Sequence, residues 1–376
     1  MAEPLKDLYS AAFIREFSEE VRRVHPAFSA QSFCEEVMND DWNEMKLKER
    51  IRHISISLGR HLPSDYQEAL NILFRLEKDC TGFRYLFFPD FVEVHGLNKE
   101  DWPLSLEALE RFTASSSSEF AVRAFILLEP ALMISKMKEW ALHDNEHVRR
   151  LASEGCRPRL PWGQSLPMFK ADPQPVLELL ELLKNDPSLY VRKSVANNLN
   201  DIAKDHPKTV IQIAKRWHES GDPNTNWIIR RGCRSLVRQA DPEVLAMFGY
   251  SDVLNDTTIV SAAFIKNEPD SILIGETSEL HFGFQVEAEV KLRIEYGIDF
   301  VKAKQKTSRK LFLLADRIFA AGERVDRVRI HNWKDLTTRR HYEGFHKVTL
   351  LVNGVEVAET HVTLKQTPPL PDHTLS

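Results

Sequence analysis

The chain changes its hydrophobic period once. Up to about Asn255, apolar residues recur at spacings of three and four, as in SLEALERF and PVLELLELL, and each run follows a cap residue or a proline. That spacing predicts amphipathic helices. Past Phe264 the pattern turns to alternation, as in LHFGFQVEAEVKLRIEY and HKVTLLVNGVEVAETHVTL, which predicts strands. Asn353-Gly354, between two alternating runs, predicts a type I′ hairpin turn. The expected fold class is α + β in two domains: an all-α domain over residues 1–257 and an antiparallel sheet domain over 258–367. The acidic, proline-rich end, 368–376, is expected to be a disordered tail.

Within the helical half a unit recurs: a turn, an acidic or polar residue, then an aliphatic-Arg pair that opens a helix. The copies are SSSSEFAVRAFILLEP with Val122-Arg123, HDNEHVRRLASEGCRP with Val148-Arg149, NDPSLYVRKSVANNLND with Val191-Arg192, and NTNWIIRRGCRSLVRQADP with Ile229-Arg230. The last three pairs stand roughly forty residues apart, the period of HEAT-like helical hairpins stacked into a solenoid. The paired arginines are expected to tie each repeat to the acidic turn of its neighbour, and they are assigned no chemistry.

Bulk properties set the class. A chain of 376 residues with 43% hydrophobic content suits a soluble two-domain protein. Its start has no apolar core behind a basic segment, and no run of about 18 apolar residues occurs, so a cytoplasmic address away from membranes is expected. The four cysteines lie far apart without C-x-x-C spacing or paired histidines, so neither a disulfide framework nor a metal site is expected. The net charge of -5 hides an asymmetry. Val301–Leu350 holds 13 Lys and Arg against 5 Asp and Glu, whereas Ser251–Phe300 holds 3 against 10. Lys302, Lys304 and Lys306, close to Arg309 and Lys310, share one face if that segment is extended, and form a candidate phosphate contact.

Some residues exceed what packing needs. Arg150, Lys193 and Arg231 each follow the repeat arginine in successive repeats, and Arg157, Arg159 and Arg234 extend them into a basic stripe suited to a phosphate backbone. An ordinary solvated helix face is the alternative. Asn197 and Asn198, adjacent amides in mid-helix, lower helix propensity and suit hydrogen bonds to phosphate or sugar. Glu154 is expected mid-helix in the same repeat as Arg150, and Glu119 at the start of the preceding repeat helix, so two carboxylates can converge. Trp162, framed by Pro158 and Pro161, is expected to present an aromatic plate. Singly, a helix-start glutamate compensates a dipole and a tryptophan anchors packing. Together beside the stripe they suit a cationic substrate. An N-alkylated purine already carries the charge that weakens its glycosidic bond. The protein need supply only negative potential for the oxocarbenium-like sugar and a placed water.

These segments resemble the AlkC branch of the AlkC/AlkD DNA glycosylases over nearly the whole chain. The resemblance rests on EFAVRAFI, HVRRLASEGCRPRLPWGQ, YVRKSVANNLNDIAKDHP and NWIIRRGCRSLVR. It implies a HEAT-like solenoid followed by an antiparallel Ig-like β-sandwich. It also implies excision of 3-methyladenine, and of 3-methylcytosine, from double-stranded DNA by a monomer, without cofactor, obligate protein partner or flipping of the base into a pocket. By motif, the resemblance implies that Glu119 and Glu154 are active-site carboxylates, Trp162 the aromatic position and Asp201 a further acidic position; it places Arg150, Arg157, Lys193, Asn197, Asn198 and Arg231 on the DNA-binding face. Two other readings stand beside it: a non-catalytic DNA-binding scaffold, which leaves the carboxylates unexplained, and a protein-protein adaptor, which also leaves the stripe unexplained.

Overall fold

The computed structural model of the chain describes residues 4–366 apart from 254, 257, 304, 305 and 338, so Lys304 and the expected tail lie outside the described residues. The chain divides into two compact units after Cys233. Helices continue past that point, and Arg234–Arg238 and Pro242–Met247 group with the sheets. Polar ties account for part of this grouping. The Tyr250 hydroxyl reaches both carboxylate oxygens of Asp316 at 2.8 and 2.9 Å. Lys291 Nζ donates to the Phe248 carbonyl at 2.7 Å, and Asn353 Nδ2 to the Ser251 carbonyl at 2.8 Å.

The first unit opens with helices packed around an aromatic interior in which Phe13, Phe17, Phe33, Phe87 and Phe88 are all buried. Phe17 and Phe87 meet edge-on with ring centroids 4.9 Å apart. The repeat helices follow: Val122–Leu128, Glu146–Gly155, Leu189–Ile202 and Pro223–Gly232. Their signature aliphatics, Val122, Val148, Val191 and Ile229, are buried. Asn145, Ser188 and Asp222 cap the last three by accepting from the backbone N–H of His147, Tyr190 and Thr225, each cap contributing about 1 kcal/mol. Proline opens the return helices Pro130–Ala141 and Pro207–His218, where its missing N–H is no loss.

Of the repeat arginines, Arg149 ties its repeat to its neighbour's acidic turn, while Arg192 braces its own turn and Arg123 the loop after Gly155. Arg149 grips Asp186 in the next repeat's turn through two bonds, of 2.7 and 3.1 Å. Arg192 caps the carbonyls of Asp186 and Pro187 in its own turn, each at 2.8 Å. Between these repeats Ser153 Oγ donates to Ser194 Oγ at 2.6 Å. Asn198 is completely buried in the same seam. It does not face solvent as its sequence position suggested, because its Nδ2 donates at 2.8 Å to the Ser153 carbonyl. That carbonyl belongs to the last turn of its helix, where backbone acceptors outnumber donors, and Cys156 Sγ also donates to it at 3.5 Å.

In the second unit the strands are β1 (Val260–Glu268), β2 (Ser271–Leu273), β3 (Thr277–Val286), β4 (Val290–Val301), β5 (Thr307–Phe319), β6 (Arg324–Asn332), β7 (Gly344–Val352) and β8 (Val355–Lys365). They form a three-stranded sheet, β1-β3-β6, and a five-stranded one, β2-β8-β7-β4-β5. Pairing is antiparallel apart from the short β2, which runs parallel to β8. Alternate residues bury between the sheets, among them Phe282, Phe284, Leu292, Ile294, Ile298, Val348, Leu350 and Val362. The β7–β8 hairpin turns at Asn353 and Gly354 with φ of 47° and 84°, as a type I′ turn requires. Lys302 and Lys306 stand outside the strands, between the end of β4 and the start of β5, and the Lys302 N–H donates to the Lys306 carbonyl at 2.8 Å. Arg309 is no free cation: it is bound to Asp299 at 2.7 and 2.8 Å and also pairs with Glu356. Among the described residues no helix is long and apolar enough to cross a membrane, and no cluster of three or more His, Cys, Asp or Glu could hold a metal ion.

Candidate active site

Glu154 is the penultimate residue of helix Glu146–Gly155, not a mid-helix residue. A carboxylate there opposes the negative end of the helix dipole and needs a counter-charge. Two arginines supply it: Glu154 Oε1 accepts from Arg157 Nη1 at 2.6 Å and lies 3.7 Å from Arg150 Nη2. The other amino group of Arg150 pairs with Glu119 Oε2, in the turn before helix Val122–Leu128, so one guanidinium bridges carboxylates from adjacent repeats. Ser117 Oγ donates to that Glu119 oxygen at 3.0 Å. Arg157 extends the chain to Asp201 Oδ2 at 2.9 Å, and Lys204 reaches Asp201 Oδ1 at 3.1 Å. Burial pulls the guanidiniums of Arg150 and Arg157 down, but the carboxylates beside them outweigh it and hold both above the ordinary arginine value. Among the described residues, Glu119 Oε1 and Glu154 Oε2 accept no hydrogen bond. Each repeat thus contributes one carboxylate oxygen able to face a water or a developing positive charge.

The loop after Glu154 is built to project an aromatic. Pro158 and Leu160 are buried, while Trp162 is 62% exposed. Its φ of 62° is a conformation that a bulky residue adopts only when its surroundings enforce it. Arg123 is the enforcing group. Fully buried, it donates through Nε to the Gln164 carbonyl at 2.5 Å and through Nη1 to the carbonyls of Gly155 and Arg157 at 2.7 and 2.9 Å. Burial pushes its pKa down to about 10, still far above neutrality. Gly163 fits because a Cβ there would stand 3.0 Å from the Leu160 side chain and 3.2 Å from Arg123 Nε.

The structure brings together Glu119, Arg150, Glu154, Arg157 and Asp201 as one ionic chain. Arg150 and Arg157, expected to face phosphate, are instead half-buried or buried against carboxylates. Arg159 is exposed but holds Asp205 in a two-bond pair at 2.7 and 3.1 Å. Lys193 and Arg231 are exposed and Asn197 half-buried. Arg234 is exposed in the second unit, as is Lys306, while Lys302 is half-buried. Sequence reasoning missed Tyr190, whose ring lies 4.9 Å from the Arg150 guanidinium. It also missed Ser117, whose Oγ accepts from Arg150 Nη1 at 3.2 Å. Tyr190 immediately precedes a repeat's Val-Arg pair, so alignment of the repeats contains that signal. Ser117 lies within a serine run and has none.

A chain of repeats with a carboxylate pair and an aromatic plate at one seam, followed by a two-sheet unit, defines the class; comparison with known proteins gives the family. The family model described as DNA alkylation repair enzyme matches residues 97–236, and that described as Uncharacterised protein YhaZ, C-terminal Ig-like domain, matches 262–366. The chain is 44% identical over 354 residues to Uncharacterized protein YhaZ of Bacillus subtilis (strain 168), covering 93% of this chain and 96% of that one. It is also similar to the solved structure of the Pseudomonas fluorescens alkylpurine DNA glycosylase AlkC bound to DNA containing an abasic site analog, with a TM-score of 0.90 and 36% identity over 96% of this chain and 100% of that one. The chain belongs to the AlkC-like DNA alkylation repair enzymes that carry a C-terminal Ig-like domain.

Proposed function

We propose that this protein is a DNA glycosylase that hydrolyses the N-glycosidic bond of cationic N-alkylated bases in duplex DNA, with 3-methyladenine its principal substrate and 3-methylcytosine a second. The observation that carries the reading is the pair of carboxylates from adjacent repeats bridged by Arg150, with the outward-facing Trp162 lining a cleft together with Ser117 and Phe120 from the Glu119 turn. A methylated base leaves as a neutral molecule, so no general acid and no Lewis acid is needed to release it. As the bond breaks, positive charge moves to the sugar. Glu119 and Glu154 meet that charge, and one of their uncommitted oxygens places the attacking water. The Trp162 face attracts the cationic base or its sugar. Arg150 and Arg157 hold the carboxylates in place, Asp201 orients Arg157, and the exposed Lys193 and Arg231 face the phosphates. The enzyme works as a cytoplasmic monomer on base-excision substrates. Incubation with methylated duplex DNA should release free 3-methyladenine, and Glu154→Gln should slow the release by about a hundredfold or more. Binding of methylated duplex without release would leave a non-catalytic DNA-binding protein.

A further inference from the structure

The turn that presents Trp162 is held from a second side by a residue far away in the chain. Lys48 lies in the first turn of helix Leu47–His61, and its Nζ donates to the Trp162 carbonyl at 2.9 Å across 114 positions of sequence. The same ammonium stands 4.8 Å from the centre of the Phe120 ring, and Phe120 is the immediate neighbour of Glu119. One lysine therefore touches both the turn that carries the aromatic plate and the turn that carries a carboxylate. The three groups border a narrow cleft whose walls include Leu47, Ile51, Leu86 and Asp90. Asp90, half-buried in that wall, is already paired with Arg52 at 3.0 Å.

Helix stability does not account for Lys48. A cation in the first turn opposes the positive end of the helix dipole, and ordering an exposed lysine side chain has an entropic cost. What the contact does is hold a strained peptide. Trp162 keeps its φ of 62° only while the loop around it is fixed. Arg123 fixes the loop through Gly155, Arg157 and Gln164, on either side of the tryptophan but not at it. Among the described residues Lys48 alone donates a side-chain hydrogen bond to the Trp162 peptide itself.

We propose that Lys48 is a positioning residue for base excision, clamping the Trp162 carbonyl and the Phe120 ring so that the aromatic plate and the Glu119 turn keep one separation. The proposal rests on the glycosylase reading above. Lys48 touches no reacting atom and acts through Trp162. The competing role for an exposed lysine in a DNA-binding protein is a direct phosphate contact, and the test separates the two.

Full-length Lys48→Met and Lys48→Arg are compared with the parent protein in single-turnover release of 3-methyladenine from methylated duplex. Lys48→Met should slow release roughly tenfold, as lost positioning does, and Lys48→Arg should recover it to within about threefold. Neither should lower Tm by more than about 2 °C, as for an exposed substitution. In a Trp162→Ala background Lys48→Met should have no further effect, because a clamp with nothing to hold is idle. The slope of log affinity against log salt should not change. Additive effects in the double variant, or a slope reduced by about one, would mean a phosphate contact and overturn the clamp. If the parent protein releases no base, the glycosylase reading fails, and the clamp is still tested by fluorescence. The difference between the parent and Trp162→Phe isolates the Trp162 signal, and Lys48→Met should make that signal more accessible to acrylamide. Unchanged quenching overturns the proposal independently of activity.

Discussion

At the scale of single residues, Arg150 sets how much negative potential the seam presents, because it is shared by Glu119 and Glu154 and neutralises neither completely. Removing either charge while keeping the shape should therefore cost the reaction without costing the fold. Glu119→Gln and Glu154→Gln should each lower excision by about a hundredfold or more, with binding of undamaged duplex equal or slightly tighter, measured by release kinetics and fluorescence anisotropy. Full activity in either variant would remove that residue from the mechanism. Glu154→Ala should do more, since it takes a hydrogen-bond acceptor from the buried Arg157 and should lower stability by about 1–3 kcal/mol in urea. Trp162→Gly separates strain from function: glycine adopts φ of 62° freely, so Tm should hold or rise while excision falls. A large loss of stability with activity per folded molecule unchanged would make Trp162 a packing anchor instead. The sequence showed these carboxylates as out of place and the tryptophan as proline-framed. It also held the arginine pairings in part, because Arg150 and Arg157 stand four and three positions from Glu154, helical spacings that bring side chains together. What spacing could not show was that Arg150 turns inward to a second carboxylate across the seam.

At the scale of elements, the repeats were legible because their signature combines a cap, a buried aliphatic and an arginine at a fixed offset. The grip of Arg149 on Asp186 should be a stability device with no part in chemistry. Arg149→Met leaves Asp186, which is almost fully buried, without its cation and should destabilise the first unit by about 3 kcal/mol; urea unfolding checks the loss, and excision per folded molecule should persist. Asn198 was not legible in this way, since its role depends on a carbonyl in the last turn of a neighbouring helix. In the second unit the hydrophobic alternation located the strands but gave no hint of the histidines behind them. Burial, with Arg339 and His341 nearby, pushes His331 down to about 3, and burial lowers His341 and His346 as well. An unfolded histidine takes up its proton around pH 6.5, so below that pH the unfolded chain binds protons that the folded unit refuses. Stability should be complete above about pH 6.5 and fall as pH drops, by roughly 1.4 kcal/mol per pH unit down to about 3 for His331, with His341 and His346 adding in the same direction. Urea unfolding of the parent and His331→Gln between pH 7.5 and 4.5 should show a shallower decline in the variant, and parallel declines would clear His331 of the effect.

At the scale of the whole molecule, periodicity reports what kind of element a segment forms but not which core it joins. Helices Arg234–Arg238 and Pro242–Met247 read like the repeats before them, yet they group with the sheets, and Tyr250 is fastened to Asp316. A truncation meant to isolate the repeats therefore belongs after Cys233, since one after Asn255 leaves those helices without the sheets they pack with. The charge asymmetry between the two halves of the sheet unit is also redistributed by folding. Arg309 and Lys347 are bound to Glu356, and Arg317 to Glu323, so part of the basic block is neutralised by carboxylates of the same unit. Lys302 and Lys306, at the β4–β5 turn, make no ion pair among the described residues, and they carry the expectation that the Ig-like unit contacts DNA. Neutralising both in the full-length protein should weaken binding to duplex and flatten its salt dependence, with each lost phosphate contact lowering the slope of log affinity against log salt by about 0.9. The excision rate on saturating methylated DNA should stay near that of the parent, because the proposed active-site residues lie in the first unit. Anisotropy titrations across a range of salt concentrations decide the matter: a slope unchanged in the double variant would mean that this turn meets no phosphate and that the repeats, through Lys193 and Arg231, hold the duplex without it.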